Sequence, residues 1–240
     1  MSNLSQLRTL SRLFSTEVFD LKSIWYKRFD CPVCQAQFRA PRVFSEAIRV
    51  SRRDRDLMPH YEGVNLLFYD LVTCDRCLFT AFEKEYIKPN IVAKSGRFEK
   101  LKSLTKRAKK IYSGINLGEG RNVDDAIAIH ILGASTYHIL DQDRELAEVY
   151  LRLGWLYRLK GERQRELHAL GRALIHFERV YQTTGDLDAV QRALFYIAEI
   201  NRRLGRRDEA VRYYSELFRR FKDSESVYLK MARQNREEIR

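Results

Sequence analysis

The chain has four cysteines, and they fall into two pairs of identical spacing, Cys31-Pro32-Val33-Cys34 and Cys74-Asp75-Arg76-Cys77. A C-x-x-C turn sets two thiolates on one side of a tight loop, where backbone N–H groups face the sulfurs and offset their charge. Two such loops complete a tetrahedron of sulfur, and four sulfur ligands leave no coordination position for a substrate water. The spacing therefore predicts one structural Zn²⁺ held by Cys31, Cys34, Cys74 and Cys77. A thioredoxin-like redox pair would open a helix in a βαβ setting and would leave the second pair unexplained. Disulfides need an oxidising compartment, to which nothing in the sequence points. An iron–sulfur cluster is the other chemistry open to four cysteines.

Between the pairs runs Arg52-Arg53-Asp54-Arg55-Asp56, followed by Tyr61 and Asn65. One reading is a recognition loop, its arginines meeting a phosphate or carboxylate and its aspartates orienting them. The other is a solvated turn whose charges pair among themselves and cap the next element. No nucleophile–base arrangement can be assembled there, because zinc takes every cysteine, and catalysis is not expected. His60 is expected to be hydrogen-bonded or exposed rather than a fifth ligand type. His130 and His138, like His168 and His176, are eight residues apart on helices, too far to share an ion without other ligands, and read as packing or surface residues.

These side chains must be carried by two kinds of structure. Gln37–Ala40 and Ile48–Ser51 alternate apolar and polar residues with period two, as half-buried strands do. Leu66–Val72 reads as a more buried strand leading into Cys74. From about residue 97 the period becomes 3.6: Phe98, Leu101, Leu104, Ala108 and Ile111 form an apolar stripe. Further helices are predicted over 123–140, 144–160, 163–183, 187–204, 207–222 and 225–239. Breaks fall at Asp141, Gly161, Thr184-Gly185, Gly205 and Asp223-Ser224, and Asp124, Asp143, Asp186 and Asp208 serve as caps or first-turn acids.

Leu153-Gly154-Trp155-Leu156-Tyr157 followed by Gly161 resembles a tetratricopeptide helix and its turn. Ile197-Ala198, Asn201 and Gly205 repeat that frame forty-four residues later, with Ala210 and Tyr214 beyond. The interval is longer than the usual thirty-four or so, Asn201 replaces an aromatic, and Glu166 stands where a small residue should pack. The expected fold class is α+β, mostly α: a small β-rich zinc-ribbon-like module, then a tetratricopeptide-like antiparallel helical repeat. The expected divisions are an N-terminal helix over 1–24, the zinc module over 25–93, a basic linker helix over 94–120 and the helical domain over 121–240. Trp155, Tyr157, Tyr181, Phe195, Tyr196, Tyr213 and Tyr214 read as core rather than a ligand box.

The formal charge is +12, from 44 basic and 32 acidic side chains, which favours anionic partners. Residues 94–110 hold eight Lys/Arg against Glu99 alone. Arg97, Lys100, Lys106, Arg107, Lys109 and Lys110 could line a phosphate backbone or an anionic leaflet, or simply form a solvated face. No aromatics interleave to stack bases. No apolar run approaches the roughly 20 residues that span a bilayer. Leu4, Leu7, Leu10, Phe14 and Val18 lie near helical spacing, but Arg8 and Arg12 interrupt any signal-peptide core, and Glu17 and Asp20 suit neither an anchor nor a targeting peptide. A helix docking on its own protein and a cytoplasmic location are expected.

Cys31-Pro32-Val33-Cys34, Arg53-Asp54-Arg55-Asp56, Tyr61-Glu62-Gly63-Val64-Asn65 with Tyr69, and Cys77 through Ala81-Phe82 together resemble an uncharacterised bacterial family known as a domain of unknown function, the "twenty-two twenty-five" family. Its pattern is a C-P-x-C module, R-D-x-D, Y-x-G-x-N-P-x-x-Y, a C-P-x-C-G-Y-A-A knuckle and tetratricopeptide-like helices. Here Asp75 replaces the second knuckle's proline, Leu78 its glycine, and Leu66 the proline after Asn65. The resemblance implies this fold and a bacterial cytoplasmic setting, and brings no activity. The expected function is a zinc-stabilised interaction or scaffold protein binding a protein partner through its helical repeats, the alternative a nucleic-acid-associated protein using helix 97–112.

Overall fold

The structure, a computed structural model, describes residues 23–87, 92 and 96–237. The N-terminal helix expected over 1–24 lies, apart from its last two residues, outside the described residues. Three antiparallel hairpins come first: β1 (Ile24–Asp30) with β2 (Gln37–Val43), β3 (Arg49–Arg53) with β4 (Pro59–Glu62), and β5 (Leu71–Thr73) with β6 (Thr80–Phe82). Helices follow: α1 (Glu83–Ile87), α2 (Phe98–Ile111), α3 (Val123–Leu140), α4 (Asp143–Leu159), α5 (Arg163–Thr183), α6 (Leu187–Arg203), α7 (Arg207–Phe221) and α8 (Val227–Glu237). The class is α+β and mostly α.

One expected strand differs. Leu66–Phe68 is a 3-10 turn, and only Leu71–Thr73 pairs in a ladder. Asn65 causes this: its side-chain oxygen accepts from Leu67 N at 3.0 Å, a local bond that competes with extended pairing. The apolar stripe of α2 is also shorter than its periodicity implies. Leu101, Thr105 and Ala108 are buried, whereas Ile111 is 71% exposed at the helix end.

Helix ends follow local chemistry. Asn122 and Asp125 form a capping box on α3, and Asp186 caps α6 through the N–H groups of Asp188 and Ala189. Three helices end in the same turn. Asp141 (φ 59°), Gly161 (φ 78°) and Gly205 (φ 79°) are left-handed, and the next residue's N–H reaches back to Tyr137, Tyr157 or Asn201 O at 3.1, 2.9 and 2.9 Å. This Schellman closure satisfies carbonyls that a helix end leaves orphaned. The helix ends at Gly161 and Gly205 therefore close in the same way, as does the end at Asp141.

Helix α3 is apolar on every side and lies at the centre. Ile129, Ala134, Tyr137 and Leu140 join the cluster that holds Cys31, Cys74 and Cys77, while Ala126 and Ile127 join the cluster built on α4 to α8. At Gly133 a Cβ would sit 2.8 Å from Leu71 Cδ1, so glycine permits the approach of β5. Tyr137 Oη accepts from Phe82 N at 2.8 Å, which ties β6 to the same helix. In the repeat, Gly154 allows similar closeness, since a Cβ there would stand 2.8 Å from Leu170 Cδ2. Leu57, Met58 and Leu67, from between the knuckles, belong to the helical cluster too. Fully burying such a side chain stabilises by about 1.5–3 kcal/mol.

Glu166 is held in a buried ion cluster. Glu166 occupies the place where Ala210 stands forty-four residues later, and both begin the second helix of a pair. It accepts from Arg158 Nε at 2.8 Å and from Arg203 Nε at 2.9 Å. Burial opposes its ionisation, but the bonds from Arg203 and Arg158 outweigh burial and hold the carboxyl below its usual range. Trp155, Phe195, Tyr196 and Tyr214 are buried, and Tyr157, Tyr181 and Tyr213 half-buried against the same core.

Candidate metal centre

Each C-x-x-C pair sits at the tip of a hairpin, β1–β2 or β5–β6, and the two tips share one backbone plan. Cys31 N donates to Ala36 O at 3.0 Å and Gln35 N to Cys31 O at 2.9 Å. Cys74 N donates to Phe79 O at 2.9 Å and Leu78 N to Cys74 O at 2.8 Å. The residue after each second cysteine is left-handed, Gln35 at φ 60° and Leu78 at φ 64°. Leu78, a branched side chain, thus holds a backbone conformation that favours glycine. Leu78 offsets this by packing on Ala108 and Leu132.

The two tips meet. Sγ of Cys31 lies 3.6 Å from that of Cys77, Sγ of Cys34 lies 3.7 Å from that of Cys74, and all four sulfurs fall within 4.8 Å of one another. A tetrahedral ion with metal–sulfur bonds of about 2.3 Å requires edges of about 3.8 Å. The cluster is compatible with one metal ion. Hydrogen bonds from the Cys74 and Cys77 thiols, aided by the Cys34 and Val33 N–H groups, pull the Cys31 thiol down to about 4. The Cys31 sulfur in turn holds Cys74 and Cys77 upward. Several thiolates at this spacing repel one another, and a bound dication relieves that. Beneath the tips, Tyr86 donates to Phe79 O at 2.6 Å and to Val72 O at 3.1 Å, with its ring among Phe29, Phe38 and Phe79.

The residues between the knuckles lie elsewhere. Asp54 and Asp56 turn towards α4. Arg158 Nη2 donates to Asp56 Oδ2 at 2.6 Å and Nη1 to Asp54 Oδ2 at 3.0 Å, and Trp155 Nε1 donates to Asp56 Oδ2 at 3.0 Å. Asp54 also meets His60 Nε2 and Arg52 Nη1, each at 2.8 Å. Burial disfavours its charge, yet His60 and Arg158 bring the carboxyl below its ordinary value. Arg52, Arg53 and Arg55 are exposed, Tyr61 is half-buried, and Asn65 caps its turn. Asp54 thus pairs both within its own turn, with Arg52 and His60, and with a helix about a hundred residues away, where Asp56 also finds Arg158.

On α2, Arg97 donates to Ile139 O at 2.7 Å and to Asp141 Oδ2 at 3.2 Å. Lys100, Lys106, Arg107, Lys109 and Lys110 are exposed and, among the described residues, make no ion pair. His130 is buried, with Nδ1 against Ala126 O at 2.8 Å, and His176 meets Asp143 Oδ1 at 2.6 Å. Both are packing residues, while His138 and His168 lie at the surface.

A second polar cluster has no counterpart in the sequence reading. Arg152 Nε meets Asp70 Oδ2 at 2.6 Å, and Glu148 receives both Arg152 Nη1 at 2.6 Å and Arg192 Nη2 at 2.7 Å. Burial works against the Glu148 charge, but the two arginines carry its carboxyl down to about 2. Asp70, Arg152 and Arg192 border a cleft of about 480 Å³ between β3–β4 and the helices, lined also by Arg53, Tyr61, Trp155, Tyr196 and Tyr228. Charged residues on helices look like surface positions in a sequence, and no local spacing marks these.

Among the described residues no helix is long and apolar enough to cross a membrane. No curated protein and no solved structure matches the chain. Residues 24–239 match the family described as uncharacterized protein conserved in bacteria, DUF2225. With nearly its whole length matched, its knuckles joined and its helices behind them, the chain belongs to that family.

Proposed function

We propose that the chain is a zinc-stabilised interaction or scaffold protein whose helical surface binds a protein partner. The observation that carries this reading is the closure of four cysteine sulfurs on one another, within 4.8 Å. Four sulfur ligands favour Zn²⁺ and give it a folding role, on the order of 10 kcal/mol at small sites of this kind. The ion would fasten the two hairpin tips to α3, leaving recognition to the surface. The cleft beside β3–β4 supports that assignment, since tyrosine, tryptophan and arginine are the residues over-represented where partners bind.

Two measurements test it. Protein purified under reducing conditions should carry one zinc per chain by elemental analysis, and chelation should abolish its near-ultraviolet dichroism. Crosslinking in the native cell should recover a partner that is lost from Tyr61→Ala. Metal-free, folded protein refutes the first half, and capture indifferent to the cleft refutes the second.

A second reading is favoured by the unpaired cations of α2, which suit a nucleic-acid phosphate backbone. Affinity for DNA or RNA that falls steeply with salt, and is lost when Lys106, Arg107, Lys109 and Lys110 become glutamine, would establish it. Partner capture insensitive to those changes would dismiss it.

A further inference from the structure

Where α2 packs against the first helices of the repeat, a pocket of about 370 Å³ opens. Its floor is apolar, made by Leu104, Ile131, Ala134, Ile139 and Leu153 with the ring of Tyr150. Its rim carries Arg107 from α2, His138 and Ser135 from α3, and Arg172 from α5, and among the described residues no acidic side chain lines it.

The rim differs in kind from the cleft beside β3–β4. There Arg152 and Arg192 are answered by Asp70 and Glu148. Here neither arginine has a carboxylate among the described residues. The Arg172 guanidinium lies 5.6 Å from the centroid of the Tyr150 ring, which itself stacks on His176. Asp143, the carboxylate bound to that histidine, is engaged by His176 and by Arg179 at 3.2 Å. Arg172 is thus supported from below and left with its donors free. Two helices bring guanidinium groups and a third an imidazole to one apolar basin, and among the described residues no carboxylate of the lining answers them.

The geometry points to a binding site for a small amphiphilic anion, a carboxylate or phosphate carried on an apolar chain or ring. The anionic head would lie between Arg107 and Arg172, with His138 beside it, and the apolar body would cover Leu104, Ile131 and Leu153. The volume is near the lower end of small-molecule pockets, roughly 300–1,000 Å³. It suits a single short chain and not a two-chain lipid. This site is separate from the metal centre and from the cleft of the partner reading.

The test is calorimetric titration of the full zinc-loaded chain with monomeric octyl phosphate, octanoate, 1-octanol and inorganic phosphate. The two amphiphiles should bind, while the alcohol and bare phosphate bind at least about tenfold more weakly, because a charge-assisted hydrogen bond contributes about that factor. Arg107→Gln and Arg172→Gln should each weaken octyl phosphate binding about tenfold. Both positions are exposed, so the fold should hold, as dichroism can verify. In histidine-labelled protein, the His138 ring signals should move and those of His168 should not. Equal affinity for octanol and octyl phosphate overturns the proposal, as does binding that ignores both arginine changes. Binding confined to phosphatidylglycerol vesicles, without affinity for the monomeric amphiphiles, overturns it in favour of a membrane contact by α2.

Discussion

Replacing Glu199 with glutamine should remove a pH dependence that the wild-type fold carries. Glu199 is 1% exposed on α6, where Asn235 Nδ2 donates to one carboxylate oxygen at 2.5 Å and Arg202 to the other at 2.9 Å. Burial raises its carboxyl from 4.5 to about 7; Arg202 opposes the shift, and the nearby Asp56 charge adds to it. The folded state therefore holds this proton more tightly than the unfolded chain does. Its stabilising contribution is complete below 4.5 and is lost as pH rises through about 7. At 1.36 kcal/mol per pH unit the whole loss is about 3 kcal/mol, of which about 2 kcal/mol falls between roughly pH 5.5 and 8.5. Glutamine keeps an acceptor for Asn235 and Arg202 but does not titrate. Urea unfolding of zinc-loaded wild type and Glu199→Gln across that range should show the stability difference drifting by about 2 kcal/mol in the variant's favour. Contributions of the cysteines and other carboxylates are common to both proteins and cancel. A difference that stays constant with pH refutes the reasoning.

Arg158→Met should destabilise by about 3 kcal/mol, because it leaves Asp56 short of its main donor. Asp54 keeps His60 and Glu166 keeps Arg203, which places the value near the low end for broken buried pairs. Zinc content should be unchanged; a loss below about 1 kcal/mol in urea unfolding would contradict this account. The left-handed residues of the knuckles give opposite outcomes. Gln35→Gly should stabilise by about 0.5–1 kcal/mol by relieving strain. Leu78→Gly relieves the same strain but empties a buried site 8% exposed, and should destabilise by about 2–4 kcal/mol in thermal unfolding. A shift of the same sign in both would show that the packing of Leu78 is not what distinguishes them.

Features with local causes were legible. Two equal cysteine spacings imply two equal turns, and Asp124, Asp186, Gly161 and Gly205 mark helix ends to within a residue or two because caps act over a few bonds. Leu66–Phe68 was not legible, because a single Asn65 bond decides between turn and strand in a run whose composition suits both. The distant partner of the aspartates was hidden for a different reason. Nothing near Asp54 or Asp56 indicates that their partner is Arg158, and an arginine following Tyr157 in an amphipathic helix resembles a solvated position. Glu166 reads as a misfit to a tetratricopeptide frame because its partners, Arg158 and Arg203, belong to other helices. The basin beneath Arg107, His138 and Arg172 needs four helices at once, and periodicity along one helix carries no sign of it.

Leu57 and Met58, which lie between the cysteine pairs, are seated in the cluster formed by the later helices, and the cysteines share theirs with α3. Neither half of the polypeptide therefore owns a complete interior. Expressed alone, the first ninety residues would bare those side chains to water and tend to aggregate, metal or no metal. During synthesis the knuckles emerge long before the helices that shelter them, so the nascent N-terminal half has to wait, loosely formed, for the rest of the chain to leave the ribosome.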